Sequence, residues 1–344
     1  MSITLKDVAE AAGVSITAVS KVLHGRGSSV RVGEDRAALI REAAERLNYR
    51  PNGLAQNLRL GRAQSIGLIF ENWGSIASGP LYYVHLLDGV AEVVFREHYR
   101  LTIIPEVGGE HLQTALGDGR LDGAIWCKLP DDPTARAEVL TSTIPFVALN
   151  SPPPVDPGGT VYVACDNIAG TRLVVDHLFS LGHQRILFVK EQSEYNTPDA
   201  LAREAGLRAA LADRGIACQA DDIAVWTTDA SGFDAWYGTT DHTAIFAWNE
   251  HLAGRILERA RRAGVRVPED LSVVGFDSTP YCEQTFPRLT AVGQPIREMA
   301  RFAAETLLAM IRGDRPEQLV HLFPCTLDVR DSTAALPRHP SVTP

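Results

Sequence analysis

The stretch "TLKDVAEAAGVSITAVSKVL", residues 4–23, carries two short helical periods separated by one glycine. Thr4 can cap the first helix, and Asp7, three residues on, can reach back to it as in a capping box. Leu5, Val8, Ala9 and Ala12 then fall on one helical face. Gly13 supplies the positive φ that a tight turn needs, and Ser15 caps a second helix with Val19, Val22 and Leu23 inward. Ile16, Thr17, Ser20 and Lys21 stay outward. The pattern is a helix-turn-helix with a small polar face where a base-reading face would lie.

Working outward, a third helix is predicted from about Glu34 to Leu47, with Leu39, Ile40, Ala43, Ala44 and Leu47 as its apolar face. "NYRPNG" at 48–53 interrupts the pattern, because the residue before Pro51 is pushed out of helical geometry. "LAQNLRLGR" at 54–62 is helical in pattern but too short to be stable alone. It reads either as a plain linker or as a helix that forms when a partner supports it.

The chain has 344 residues and a formal charge of −9, which looks wrong for a nucleic-acid binder until it is divided. Residues 1–62 hold ten Lys/Arg against six Asp/Glu, so a head of +4 is joined to a body of −13. That asymmetry fits a small DNA-binding module on an acidic carrier. With 45% hydrophobic residues the chain can fill a sizeable core. It shows no charged-then-apolar leader and no apolar run near the ~18 residues of a membrane span, so a cytoplasmic location is expected. Cys127, Cys165, Cys218, Cys282 and Cys325 are odd in number and far apart. They read as single thiols in a reducing compartment, with neither a disulfide frame nor a metal site.

From Ser65 the rhythm becomes βαβα. Nine strands are expected: "SIGLIF", "RLTIIP", "DGAIWC", "PFVALN", "VYVACD", "RILFV", "DIAVW", "TAIFAW" and "SVVGFD". Helices are expected around 82–97, 168–181, 199–214, 250–263 and 296–312. This alternation predicts parallel sheets covered by helices. So many strands exceed one comfortable sheet, so two α/β lobes with a cleft between them fit better. The Pro-rich end, 334–344, reads as a flexible tail without heptads.

No dinucleotide, P-loop, zincin or nucleophile-elbow signature occurs, so no cofactor, metal or catalytic step is expected. His183 in "LGHQRI" reads as structural. Ligands of parallel α/β lobes sit beyond the carboxyl ends of the strands. Those positions hold Glu71, Trp73, Asn150, Trp248, Asn249 and Asp277, with Trp126 and Trp226 at two other strand ends. Flat rings stack on sugar C–H faces, and Asn and Asp fix hydroxyls, so a polar small-molecule cleft is predicted. Singly, each Trp reads first as a packing residue at a lobe rim; together with Asn150, Asn249 and Asp277 they favour the cleft.

These residues together resemble the lactose-repressor (LacI/GalR) family of bacterial transcription regulators. The likeness runs in order through "TLKDVAEAAGVS", "LNYRPNGLAQNLR", "SIGLI", "DNIAGTRLVVDHLFSLGHQRI", "REAGLRAAL", "TAIFAWNE", "GVRVPEDLSVVGFD" and "LTAVGQPI". It implies a helix-turn-helix head over 1–50 and a hinge helix over 51–63. It further implies a two-lobed, periplasmic-binding-protein-like effector domain over 64–333, with chain crossings near 164, 293 and 325. Ile16, Thr17 and Lys21 would meet base edges, Lys21 donating to guanine and Ile16 packing on a thymine methyl. Thr4, Ser15, Ser20 and Asn52 complete the DNA-binding set, and Leu58 would wedge into the minor groove and bend the duplex. Asn150, Arg203, Asn249 and Asp277 match the family's ligand positions.

The sequence departs from the pattern at Ala18, His24, Glu250, Ser278 and "ENWGSIASGPLYY". The resemblance implies a homodimeric repressor on a pseudo-palindromic operator in double-stranded DNA, controlled by a small molecule of the sugar class. A solute-binding protein for uptake would share the lobes but has no use for residues 1–62. A sugar-modifying enzyme would need an acid–base pair such as Glu71 with Asp277.

Overall fold

The computed structural model describes residues 3–24, 31–50, 61–70, 81–105, 116–129, 142, 144–191, 197–226, 233, 236–237 and 240–336. The chain divides into two compact units, 1–63 and 64–344.

The first unit is helical: α1 (Leu5–Ala12), α2 (Ile16–His24) and α3 (Glu34–Arg46). The Thr4 backbone N–H donates to Asp7 Oδ2 at 2.7 Å and the Asp7 N–H donates to Thr4 Oγ1 at 3.4 Å, the reciprocal capping box. Gly13 ends α1 at φ 65°, and Ser15 Oγ accepts from the Ala18 N–H at 3.2 Å to start α2. Val8, Ala9, Ala18, Val19, Ile40, Ala43 and Ala44 form the core, with Leu5, Ala12, Val22 and Leu23 packed at its edge. Ala18 is therefore a packing residue in this head. Leu39 departs from the expected apolar face. It is 52% exposed, because Ala37, Ile40 and Ala44 define the buried stripe of α3 and position 39 falls beside it. Most of the expected hinge helix, with Asn52 and Leu58, lies outside the described residues.

The second unit holds two six-stranded sheets among its described residues. The first contains β1 (Ser65–Phe70), β2 (Arg100–Pro105), β3 (Gly123–Cys127), β4 (Phe146–Leu149), β5 (Val161–Cys165) and β11 (Val320–Phe323). Their order is β11-β5-β4-β3-β1-β2, all parallel. The second contains β6 (Ile186–Glu191), β7 (Ile223–Trp226), β8 (Ala244–Ala247), β9 (Ser272–Asp277), β10 (Thr290–Gly293) and β12 (Thr326–Asp328). Its order is β12-β10-β9-β8-β6-β7, parallel except for the antiparallel edge strand β12. The chain thus changes lobe after β5, after β10 and between β11 and β12. Strands β10 to β12 add to the nine expected from sequence. They run only three or four residues each, too short for alternation to show.

Among the described residues five helices cover the sheets: α4 (Leu81–Arg96), α5 (Asn167–Ser180), α6 (Pro198–Ala212), α7 (Glu250–Arg262) and α8 (Ile296–Arg312). Alternate residues of the first sheet face opposite ways, as a period of two requires. Leu68, Ile125, Val147 and Val163 meet Val90, Val94, Ala303 and Leu307 of α4 and α8, while Ile69, Trp126, Ala148 and Tyr162 build a separate cluster on the other face. Helices α4 and α8 touch backbone to side chain at Gly89, where a Cβ would lie 2.5 Å from the Arg297 carbonyl oxygen and 2.7 Å from Ala300 Cβ. Gly89→Val should therefore lower stability by about 1–3 kcal/mol, read from the urea midpoint. Gly117→Ala, with nothing within 4 Å of its Cβ, is the control.

His183 has the structural place expected of it: Nδ1 meets Thr243 Oγ1 at 2.9 Å and Nε2 meets the Ala334 carbonyl at 2.9 Å. That contact also corrects the start of the tail. Ala334 N–H donates to Ser272 Oγ at 3.1 Å and Leu336 N–H to the Leu181 carbonyl at 2.9 Å, so residues 334–336 are bound to the second lobe.

Candidate functional site

On the helical head, the second helix leaves Ile16 48% exposed and Thr17 exposed, with Ser20 and Lys21 half-buried beside them. An apolar residue this open beside a cation offers a methyl contact and a hydrogen-bond donor on one face, which is what a base edge in the major groove can use. Thr4 and Ser15 stand at the N-termini of α1 and α2, their hydroxyls already engaged in the caps.

In the second unit the carboxyl ends of the strands gather a buried charged cluster. Arg203, 1% exposed on α6, lies at its centre. Its Nε donates to Asn167 Oδ1 at 2.8 Å and its Nη1 donates to the Trp248 carbonyl. Its Nη2 stands 3.6 Å from Asp277 Oδ1 and 3.8 Å from Asp199 Oδ2. The guanidinium lies over the Phe276 ring, 3.6 Å from its centroid. Gln294 Nε2 donates to Asp277 Oδ1 at 2.6 Å. Burial pushes the Asp277 carboxyl up from the usual range, against the pull of Arg203 and the Gln294 hydrogen bond. Burial acts on Asp199 too, but Lys128 and Arg203 outweigh it and hold that carboxyl below the usual range.

Lys128 belongs to the first lobe, one residue past β3. Its ammonium crosses to the second lobe, 3.4 Å from Asp199 Oδ2 and 5.2 Å from the Trp248 ring centroid. The two lobes thus meet through a buried ion pair. Lys128, Asn150 and Asp277 all have positive φ (58°, 53° and 94°), a region that side chains adopt at a cost and that clusters at ligand sites. Asn150 Oδ1, Asp199 Oδ1, Gln294 Oε1, Trp248 Nε1 and the Tyr82 hydroxyl are buried without hydrogen-bond partners among the described residues. Three acceptors, one donor and one hydroxyl in this condition call for an incoming molecule that offers both kinds of group.

Of the residues singled out from sequence, Asn150, Arg203, Trp248 and Asp277 lie at these strand ends. Asn249 lies beside them, but its Oδ1 accepts from the Leu252 N–H at 2.7 Å and caps α7. Trp248 is 2% exposed with both cations over its ring, a support for charge more than an open stacking platform. Trp126 is fully buried among Ile69, Ala148 and Tyr162 and is a packing residue. Trp226 has the Arg255 guanidinium 5.9 Å from its ring centroid. Glu71 and Trp73 lie outside the described residues. Sequence reasoning missed Lys128, Asp199, Asn167 and Gln294. The i, i+4 pairing of Asp199 with Arg203 was the one signal available.

Glu250 is explained by its surroundings. It accepts from Thr279 N–H at 2.7 Å, Thr279 Oγ1 at 2.5 Å and Cys282 Sγ at 3.2 Å, pinning the turn after Asp277. Among the described residues no cluster suits a metal ion, and no helix is long and apolar enough to cross a membrane.

The family model for bacterial regulatory proteins of the lacI family matches residues 4–52, and that for a periplasmic binding protein-like domain matches 175–333. The HTH-type transcriptional regulator GalS of Salmonella typhimurium is 31% identical over 96% of this chain and 97% of its own. The chain belongs to the lacI family. The HTH-type transcriptional regulator DegA of Bacillus subtilis is 30% identical over 98% of this chain and 99% of its own. The ribose operon repressor of Escherichia coli is 29% identical over 90% and 93%. Among solved structures, a lac repressor dimer bound to operator and the anti-inducer ONPF has a TM-score of 0.81 at 25% identity, covering 97% of this chain and all of that one. The transcriptional regulator CelR in complex with cellobiose has a TM-score of 0.71 at 28% identity, covering 96% and 99%. This lacI-family member is a helix-turn-helix, DNA-binding transcription regulator, and the relatives named are regulators, not enzymes.

Proposed function

We propose that the protein is a homodimeric repressor of a pseudo-palindromic operator, released or retained by a small polyhydroxylated molecule of the sugar class held between the lobes. The unpartnered acceptors and donors around Lys128 and Asp199 carry this reading. Hydroxyls both donate and accept, so a sugar satisfies Asn150, Asp199, Gln294 and Trp248 together without adding charge to a cluster of two cations and two carboxylates. A similar body holds cellobiose in CelR and stands with operator DNA in the lac repressor dimer.

A two-fold protein matches two-fold DNA, and each head would read one half-site through Ile16, Thr17 and Lys21, with Thr4, Ser15, Ser20 and Asn52 on the flanking groups and Leu58 in the minor groove. A ligand shifts the lobes only by binding one arrangement better than the other. Because Lys128–Asp199 joins the lobes, it is the contact that an arriving hydroxyl would share or replace. The reading includes no catalytic step, since Asp277 is committed to Arg203 and Gln294, and places the protein in the cytoplasm with its operator.

The test is recovery of bound fragments from the host's sheared genome at near-physiological salt, with and without a panel of sugars including ribose, galactose and cellobiose. A few enriched palindromic sites that one sugar empties or fills would support it. Sequence-blind, salt-sensitive recovery would sink it. Removing residues 1–62 should abolish DNA recovery while leaving sugar binding by calorimetry intact.

A further inference from the structure

The end of β5 and the link between β11 and β12 run side by side where the chain crosses between the lobes, and each carries a thiol. Cys165 closes β5 opposite Phe323, and Cys325 stands two residues beyond Phe323. Cys165 immediately precedes Asp166, whose backbone N–H donates to the Phe323 carbonyl at 2.9 Å, so the two thiols stand on adjoining stretches of chain. Cys325 Sγ also lies 3.6 Å from the Asp166 carbonyl oxygen, and a Cβ on Gly170 would stand 3.1 Å from it, so α5 holds that thiol against the crossing. Cys165 is buried, whereas Cys325 is partly exposed. The remaining thiols are placed differently: Cys127 is buried at the end of β3, Cys282 donates to Glu250, and the half-buried Cys218 lies near the Gln219 carbonyl.

We propose that Cys165 and Cys325 are an oxidisable pair, a modification site at which a peroxide converts two thiols into a disulfide that ties two of the three lobe crossings together. The partly exposed Cys325 attacks one peroxide oxygen. The O–O bond breaks, the leaving oxygen takes a proton as water, and Cys325 becomes a sulfenic acid. The Cys165 sulfur then attacks the Cys325 sulfur, the S–O bond breaks, and a second water leaves. Two thiols lose two electrons, and one hydrogen peroxide becomes two waters. Roles follow from the surroundings. The neighbouring Cys165 thiol, against the push of burial and with the help of the Arg203 charge, holds the Cys325 thiol below its ordinary range, while the same neighbour and burial push Cys165 well above it. The bridge joins the last residue of one lobe's strand to the segment returning to the other lobe, so it restrains the movement that couples the cleft to the rest of the chain.

The experiment treats the full reduced chain with hydrogen peroxide, blocks remaining thiols with N-ethylmaleimide, and maps peptides. Alkylated cysteines should fall from five to three, with a 165–325 linked peptide that dithiothreitol removes. Cys325→Ser should lose the link. Cys165→Ala should leave Cys325 as a sulfenic acid captured by dimedone, and Cys218→Ser should change nothing. Amide exchange at 166–170 and 324–326 should slow in the bridged protein. A peroxide dose that oxidises Cys218 without the 165–325 link, or a link to another cysteine, overturns the site. A link that leaves exchange at the crossings unchanged overturns its restraining role.

Discussion

Arg203→Met should cost the second unit about 3–5 kcal/mol, the loss expected when one partner of a buried ion pair is removed and its carboxylates stay behind. The size follows from position. Arg203 is 1% exposed, faces Asp199 and Asp277, and holds Asn167 and the Trp248 carbonyl. Met keeps much of the packing against Phe276 but none of the five donors. Asp199 retains its ion pair with Lys128, whereas Asp277 keeps, among the described residues, the Gln294 amide and the weaker pull of Lys128, so Asp277 carries most of the penalty. The urea midpoint of Arg203→Met should fall well below that of the parent. Adding Asp277→Asn should recover part of the loss, because the uncompensated charge is gone. A single variant as stable as the parent would mean that the cluster is solvated in solution and that the cleft is not built around this arginine.

The order of elements was plain in the sequence because long periodic segments report themselves. Thr4, Asp7, Gly13 and Ser15 each do locally what their chemistry prescribes, and strand cores such as "SIGLIF" and "SVVGFD" are continuous apolar runs. The candidate site was only half legible. Arg203 and Asp277 stand in recognisable surroundings, but Lys128 follows a strand with no motif around it, and its partner Asp199 lies 71 positions away in the other lobe. Nothing in residue identity announces that Lys128, Asn150 and Asp277 take positive φ. Tryptophans alone discriminate poorly for a physical reason. A ring at a strand end can point either way, and at Trp126 the period of two turns it into the apolar cluster with Ile69 and Ala148. Asn249 shows the same ambiguity in polar form, since an asparagine between strand and helix serves equally as ligand contact and as cap.

The helix-turn-helix offers the sharpest separation of the two meanings residues 4–23 can have. Ile16→Ala, Thr17→Ala and Lys21→Ala combined should lower affinity for a recovered operator by roughly 100-fold or more, since each base contact is worth about 1–3 kcal/mol. The head should keep its fold, because Ile16 and Thr17 are exposed and the core rests on Val8, Val19 and Ile40. Binding to unrelated DNA should weaken far less and lose only about one unit of salt slope, as one cation is removed. Val19→Asp makes the contrasting case: a charge placed at 0% exposure should melt the helical signal of the head and abolish specific and unrelated binding together. If the triple variant bound its operator as tightly as the parent, the outward face of α2 would be a solvated surface and specificity would have to come from elsewhere in the chain. If it lost both kinds of binding equally, those side chains would be supplying charge and support for the head instead of reading bases. Only the split outcome, specific affinity gone and unrelated affinity kept, makes α2 the reading helix.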